Sequence, residues 1–238
     1  MFIEQMPRWV RWFYPHVWWR KDAHQKTLYV TFDDGPTPQT TPWILDQLDI
    51  LGIKATFFCI GSNAEKHPEL LQEIKDRGHA IGLHGYNHVR GLYKNTDIYL
   101  ADIERGAQFI DTKLFRPPHG RITPKQANIL AKKYTVVLWD VITRDYDASL
   151  KPEQVERIAL KYTRNGSIIV FHDSLKAQKN MQYAFPRTVK QWLSEGYTFA
   201  TLNDPTTKVA SKREQKQYSY WLCRAGATSW NAKHWIND

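Results

Sequence analysis

The sequence predicts an α/β fold: a distorted (β/α) barrel, whole or incomplete, with about seven parallel strands. Three observations carry this. Short apolar runs alternate with amphipathic stretches from residue 27 to residue 202. The runs are nearly continuous in apolar character, as strands buried on both faces are in a parallel sheet wrapped by helices. Gly52, Gly78, Gly166 and Gly196 stand just before four of these runs, where helix C-terminal caps belong. An open doubly wound sheet shows the same alternation, because periodicity does not report closure; seven units favour the barrel.

The chain begins with Met6, Val10, Phe13 and Val17 at helical spacing, and Pro15 should end that helix near Tyr14. Residues 28–32 read as the first strand. Thr41-Pro42 then gives a cap followed by proline at the first helical position, and Ile44, Leu45 and Leu48 form one apolar face. Residues 54–60 and 79–84 read as the next strands, with a helix over 69–77 between them. A helix over 97–111 leads to a short strand at 114–116. Thr123-Pro124 repeats the cap signature before a helix reaching 133 and a fifth strand at 134–140. Helices over 152–164 and 187–195 precede strands at 167–172 and 197–202.

The 238 residues are 42% hydrophobic and 24% charged, a globular and not a disordered composition. No apolar run approaches the ~20 residues of a membrane-spanning helix. The N-terminus shows neither an uninterrupted apolar core nor a small-residue cleavage site, so no signal peptide is expected. The formal charge of +9 is uneven: residues 1–26 and 203–238 each carry +3, and so does the whole middle. The same two ends hold Trp9, Trp12, Trp18, Trp19, Trp221, Trp230 and Trp235. We therefore expect a basic aromatic extension at 1–26, a catalytic barrel at 27–202 and a second basic aromatic extension at 203–238. Charge confined to the flanks argues against a nucleic-acid groove through the fold. It suits peripheral contact with a membrane or glycan surface. Cys59 and Cys223 make no metal-type pair, and Cys59 sits in an apolar run as a packed thiol would.

The reactive residues fall at strand ends. Asp33 and Asp34 leave the first strand where Gly35-Pro36 forces a turn. Neighbours leaving a strand point in different directions, so the two acids need not share a role. His84 ends the third strand and His88 follows. Arg116 ends the fourth. Asp140 ends the fifth, with Asp145 in the loop beyond, and His172-Asp173 end the sixth. Parallel barrels build their active sites on this face. His84 and His88 can converge on one ion if the segment turns helically; the plain alternative is two hydrogen-bonded loop histidines. A carboxylate from Asp33-Asp34 would complete a His-His-Asp set, whose three ligands leave an open position as catalytic sites do. Such ligands suit one divalent ion, Zn²⁺ first, with Co²⁺, Ni²⁺ and Fe²⁺ compatible.

On these residues the sequence resembles the polysaccharide deacetylase superfamily, which includes chitin-oligosaccharide and peptidoglycan N-acetylglucosamine deacetylases. The resemblance covers residues 27–202 and carries five motifs in order. They are Thr-Phe-Asp-Asp-Gly-Pro at 31–36, His-Gly-Tyr-Asn-His at 84–88, Arg-Pro-Pro-His-Gly at 116–120, residues 139–146, and Ile-Val-Phe-His-Asp at 169–173. It implies a metal-dependent hydrolase that removes N-acetyl groups from N-acetylglucosamine-containing glycans or precursors and releases acetate. It implies Asp33 as general base, Arg116 as its partner, and Asp34, His84 and His88 as metal ligands. His172 would be the acid, oriented by Asp145. The backbone at His119 would bind the oxyanion, while Tyr146 and Val170 would wall the acetyl pocket. Four positions depart from the family pattern: Gly85 for Ser or Thr, His119 for Tyr, Tyr146 for Trp, and Val170 for Leu. A hydrolase of imide or ureide C–N bonds, or a silent glycan binder, are the competing readings. The expected location is cytoplasmic or peripheral at the membrane surface.

Overall fold

The computed structural model describes residues 4, 5 and 7–203. Met6, Cys223 and all of the C-terminal extension except Asn203 lie outside the described residues. Nine strands form one sheet system: β1 Val17–Trp18, β2 Thr27–Asp33, β3 Thr56–Cys59, β4 Ala80–Leu83, β5 Leu114–Phe115, β6 Thr135–Val137, β7 Val141–Ile142, β8 Ile168–His172 and β9 Thr198–Phe199. The helices are α1 Thr41–Leu51, α2 Gly61–Lys66, α3 Pro68–Asp76, α4 Thr96–Gly106, α5 Pro124–Leu130, α6 Pro152–Tyr162 and α7 Gln178–Ser194. Their order along the sheet is β1-β6-β5-β4-β3-β2-β8-β7, with β9 beside β2 and every strand pair parallel. β6 and β7 lie near opposite ends of that path, yet only residues 138–140 join them. Such a link spans about 14 Å at most, so the sheet must curl round into a distorted barrel. No helix of the described residues is long and apolar enough to cross a membrane.

Local chemistry explains the elements. Gly52, Gly78 and Gly196 have φ of 65°, 77° and 81°, the left-handed conformation of a helix stop. Gly166, with φ 76°, does not cap a helix as expected: α6 ends at Tyr162, and this glycine serves the turn that the Ser167 N–H closes onto the Arg164 carbonyl. Thr123 and Gln126 form a reciprocal capping box at the start of α5. Two further differences from expectation matter. The helix expected over 187–195 begins earlier: α7 runs from Gln178 straight through Pro186 to Ser194. Burial of Met181, Phe185, Val189 and Trp192 on one face offsets the lost hydrogen bond.

The second difference is at the N-terminus. The expected helix is a short 3₁₀ helix, Arg8–Phe13, that stops before Pro15. β1 pairs with β6, and the Lys21 N–H donates to the Gly166 carbonyl at 2.8 Å, so this segment closes the wall between β6 and the base of β8. Arg11 turns inward to Asp140 at 2.8 Å, and the Lys21 ammonium lies 3.8 Å from the Trp18 ring centre. Trp9, Trp12 and Phe13 stay exposed.

The core has two layers. Leu28, Val30 and Phe32 of β2 point outward, where Phe32 packs with Phe57 and Phe185 at ring distances of 5.2 and 5.1 Å. Tyr29 faces inward with Phe58, Leu114 and Ile168. Strand alternation then places Thr31 and Asp33 on the inner face, at the top of the barrel.

Candidate active site at the C-terminal face of the barrel

Asp33 ends β2 inside the barrel. Its Oδ1 accepts from Arg116 Nη1 at 2.6 Å, and the same nitrogen reaches Thr31 Oγ1 at 2.7 Å. Arg116 is fully buried, donates from Nη2 to the Leu138 carbonyl and lies 4.0 Å over the Phe58 ring. Burial disfavours its charge and lowers its pKa; the Asp33 carboxylate opposes that shift. The pair therefore holds its geometry in a site from which neither side chain can swing into water.

Asp34 adopts φ 81°, which turns its carboxylate away from Arg116 toward the two histidines. Its Oδ1 lies 3.3 Å from His88 Nε2 and 3.8 Å from His84 Nε2. One donor atom from each of Asp34, His84 and His88 lies within 4.8 Å of the others. His84 Nδ1 is 2.7 Å from the Arg116 carbonyl, which can only accept. That bond places the proton on Nδ1 and leaves Nε2 free to coordinate. Burial, then the neighbouring His84, push the His88 pKa down to about 4, so this imidazole is neutral as a ligand must be. Burial opposes the Asp34 charge, but His172, His84 and His88 outweigh it and lower its pKa. Two imidazole nitrogens and one carboxylate fit a divalent ion with an open coordination position.

On the other side of the centre, one carboxylate grips His172 twice. Asp145 Oδ2 accepts the His172 backbone N–H and Oδ1 lies on Nδ1, both at 2.7 Å. Burial works against an imidazolium there, yet Asp145 overcomes it and the His172 pKa rises to about 9. Asn180, on the unforeseen first turns of α7, ties the Asp145 carbonyl to the barrel at 3.1 Å. Tyr146 stands edge-on to His172 with ring centres 4.7 Å apart. Val170 is fully buried in β8, paired with Thr31 and Ile142. The exposed His119 ring lies 4.3 Å from that of His88.

Among the described residues, the non-glycine positions with positive φ are Asp34, His88, His119 and Arg144. All four lie in this site or beside it, and strain held in this way marks functional centres. Two acids singled out in the sequence do not join. Asp140 is buried under Arg11, Arg164 and Ser167. Asp173 accepts from Thr40 and Thr41, and burial, against those two donors, raises its pKa to about 7. It ties the start of α1 to the end of β8. One contributor was missed: Asp102 of α4, which binds the backbone of the histidine loop. A carboxylate on the apolar stripe of Tyr99, Ile103 and Gly106 was its signal.

Comparison with known proteins places the chain in a family. The polysaccharide deacetylase family pattern matches residues 20–137. A peptidoglycan-N-acetylglucosamine deacetylase of Bacillus cereus is 31% identical over 202 residues, covering 79% of this chain and 92% of that protein. A crystal structure of a peptidoglycan N-acetylglucosamine deacetylase is similar with a TM-score of 0.76 at 29% identity, covering 83% of this chain and 95% of that one. A CE4 family pseudoenzyme from Bacillus anthracis shares the fold at 18% identity, with a TM-score of 0.70 over 78% of this chain and 67% of that one. Fold alone therefore does not carry the chemistry, and the side chains must. With this likeness over nearly the whole of the Bacillus cereus protein, the chain belongs to the polysaccharide deacetylase family.

Proposed function

We propose that this deacetylase removes the N-acetyl group from N-acetylglucosamine-containing glycans or their precursors, releasing acetate, with Zn²⁺ as its ion. The observation that carries the reading is the arrangement around the Asp34-His84-His88 set. The Asp33–Arg116 pair and the His172–Asp145 pair stand at the same end of the barrel, one suited to take a proton and the other to give one. Asp34, His84 and His88 would hold the ion, which when bound polarises the acetyl carbonyl and makes water more acidic. Asp33 then accepts the proton of the attacking water. The backbone N–H at His119 supports the developing oxyanion, a donor of a kind worth roughly 3 kcal/mol. His172, protonated beside Asp145, gives its proton to the sugar nitrogen, without which the amine leaves poorly. Tyr146 and Val170 form the apolar side of the acetyl pocket. No feature of the site favours an imide or ureide.

The test is acetate release from N-acetylglucosamine oligomers and peptidoglycan fragments, after chelation and after return of Zn²⁺. Metal-dependent release supports the reading. Binding of these glycans without release, with metal present, would make the protein a silent binder.

A further inference from the structure

The loop that carries both histidine ligands is gripped from two sides. The N–H groups of Gly61 and Ser62, at the start of α2, donate to the carbonyls of Gly85 and Tyr86 at 2.8 and 3.1 Å. From the opposite side Asp102 of α4 accepts the Tyr86 N–H at 2.9 Å and both the backbone and side-chain N–H of Asn87 at 3.0 Å. Asp102 lies on the buried face of α4. A carboxylate there is costly unless its oxygens are satisfied, and here both are. One turn on, Arg105 donates to Tyr86 Oη at 2.7 Å and stacks 3.7 Å from its ring centre. A single helix face therefore fixes the chain between the two histidines.

Gly85 makes this contact fit. Its φ is +74°, and a Cβ added there would lie 2.9 Å from Asp102 Oδ2. The residue that departs from the family's Ser or Thr is thus the one that admits a carboxylate from α4. His88, just past these bonds, is held at φ 57°, a conformation a histidine leaves once nothing enforces it.

We propose that Asp102 is a positioning residue of the metal centre: admitted by Gly85, its carboxylate orders the backbone at 86–87 so that His84 and His88 present Nε2 to one ion. The proposal rests on the metal-dependent reading above. It differs from a general stabilising role because it couples Asp102 to ion affinity and not only to folding.

The experiment measures the Zn²⁺ dissociation constant of the full chain by chelator competition, together with the thermal midpoint and acetate release. The variants are Asp102→Ala, Asp102→Asn, Gly85→Ala, the Asp102→Ala/Gly85→Ala double, and Ile103→Val. Asp102→Ala is expected to weaken Zn²⁺ binding about 10–100-fold, the usual cost of losing a residue that orients a ligand, with turnover recovering at saturating Zn²⁺. Asp102→Asn keeps one acceptor and should lose less. Gly85→Ala should weaken binding more in the wild type than in the Asp102→Ala background. Backbone strain is common to both, so the difference isolates the clash with the carboxylate. Ile103→Val, buried in the same helix, should lower the midpoint and leave the Zn²⁺ constant alone. A wild-type Zn²⁺ constant in Asp102→Ala overturns the proposal, as does an equal loss in Ile103→Val. If Asp102→Ala does not fold, Asp102→Asn decides by the same criterion. A wild type that binds Zn²⁺ but releases no acetate overturns the functional reading, while the Zn²⁺ constants still decide the role of Asp102.

Discussion

Asp33 and Asp34 are neighbours in the chain but partners of different groups: Asp33 Oδ1 sits 2.6 Å from Arg116 inside the barrel, while Asp34 Oδ1 faces His88 Nε2 at 3.3 Å. Strand alternation accounts for the first placement, since Asp33 shares the inner face with Thr31. The left-handed backbone at Asp34 accounts for the second. One step along the chain thus separates a carboxylate held by a buried cation from one offered to an ion.

The two should separate on mutation. Asp33→Asn keeps an acceptor for Arg116 but cannot take a proton, so Zn²⁺ content should stay near stoichiometric while turnover falls by about 10²–10⁴. Asp34→Asn should lose Zn²⁺ and recover in part when Zn²⁺ is raised. Elemental analysis and acetate release on the same samples check this; an exchange of the two phenotypes would mean the assignments are reversed.

The His172–Asp145 pair sets the alkaline side of the pH profile. An acid is active while protonated, and the His172 pKa is raised from 6.5 to about 9. kcat/KM should therefore hold to about pH 9 and fall above it. Asp145→Asn leaves burial, which favours the neutral ring, and removes the carboxylate that opposed it. Its alkaline limb should move to lower pH. The stability contributed by the raised His172 is complete below 6.5 and is lost as the pH climbs through about 9. An Asp145→Asn profile that overlays the wild type would remove Asp145 from this role.

Asp140 should behave quite differently from Asp145, five residues away. It is buried with Arg11, Arg164 and Ser167 around it, and nothing in that cluster faces the Asp34-His84-His88 set. Burial resists its charge, but Arg164 and then Arg11 lower its pKa. Its share of stability is present above the ordinary value of 3.8 and is lost as the pH falls below it. Asp140→Ala takes the buried carboxylate away from Arg164 and Arg11 and should cost about 3 kcal/mol in urea unfolding. Activity per folded molecule should stay close to wild type, and a loss as deep as that of Asp145→Asn would contradict this.

The contrast between these two acids shows what sequence reasoning can reach. Strand ends were legible because buried parallel strands and glycine stops leave strong local patterns, and that put every candidate ligand on one face. Asp140 ends the fifth predicted strand and Asp145 follows it, and only β7, a two-residue strand that sends Asp145 toward His172, sorts them. Two residues carry no periodicity. β1 was invisible for the same reason, so Val17 and Trp18 read as part of a flank and not of the wall. The role of Asp102 left one local trace, a carboxylate on an apolar helix stripe, but its partner is a loop that helical periodicity does not name.

The last prediction concerns that flank. The described residues of the N-terminal segment, 4, 5 and 7–14, are anchored near the site at two points. Glu4 pairs with Arg144 at 2.8 Å, next to Asp145, and Tyr14 Oη donates to the Ile122 carbonyl at 2.8 Å, close to His119. Between these anchors Trp9, Trp12 and Phe13 expose 59%, 70% and 61% of their surfaces, with the Trp9 and Phe13 rings edge to face at 6.4 Å. Arg11 is drawn inward, and among the described side chains this surface offers the flat apolar rings of Trp9, Trp12 and Phe13. Such rings suit stacking on sugar faces better than attraction to anionic headgroups. We expect Trp9→Ala/Trp12→Ala/Phe13→Ala to leave kcat/KM on a short soluble oligomer unchanged and to raise KM on a polymeric glycan about tenfold, the effect of ~1.4 kcal/mol of lost contact. Parallel assays on the two substrates, with a thermal melt, check it. If both activities fall together with the melting midpoint, the rings serve the barrel wall and hold no substrate.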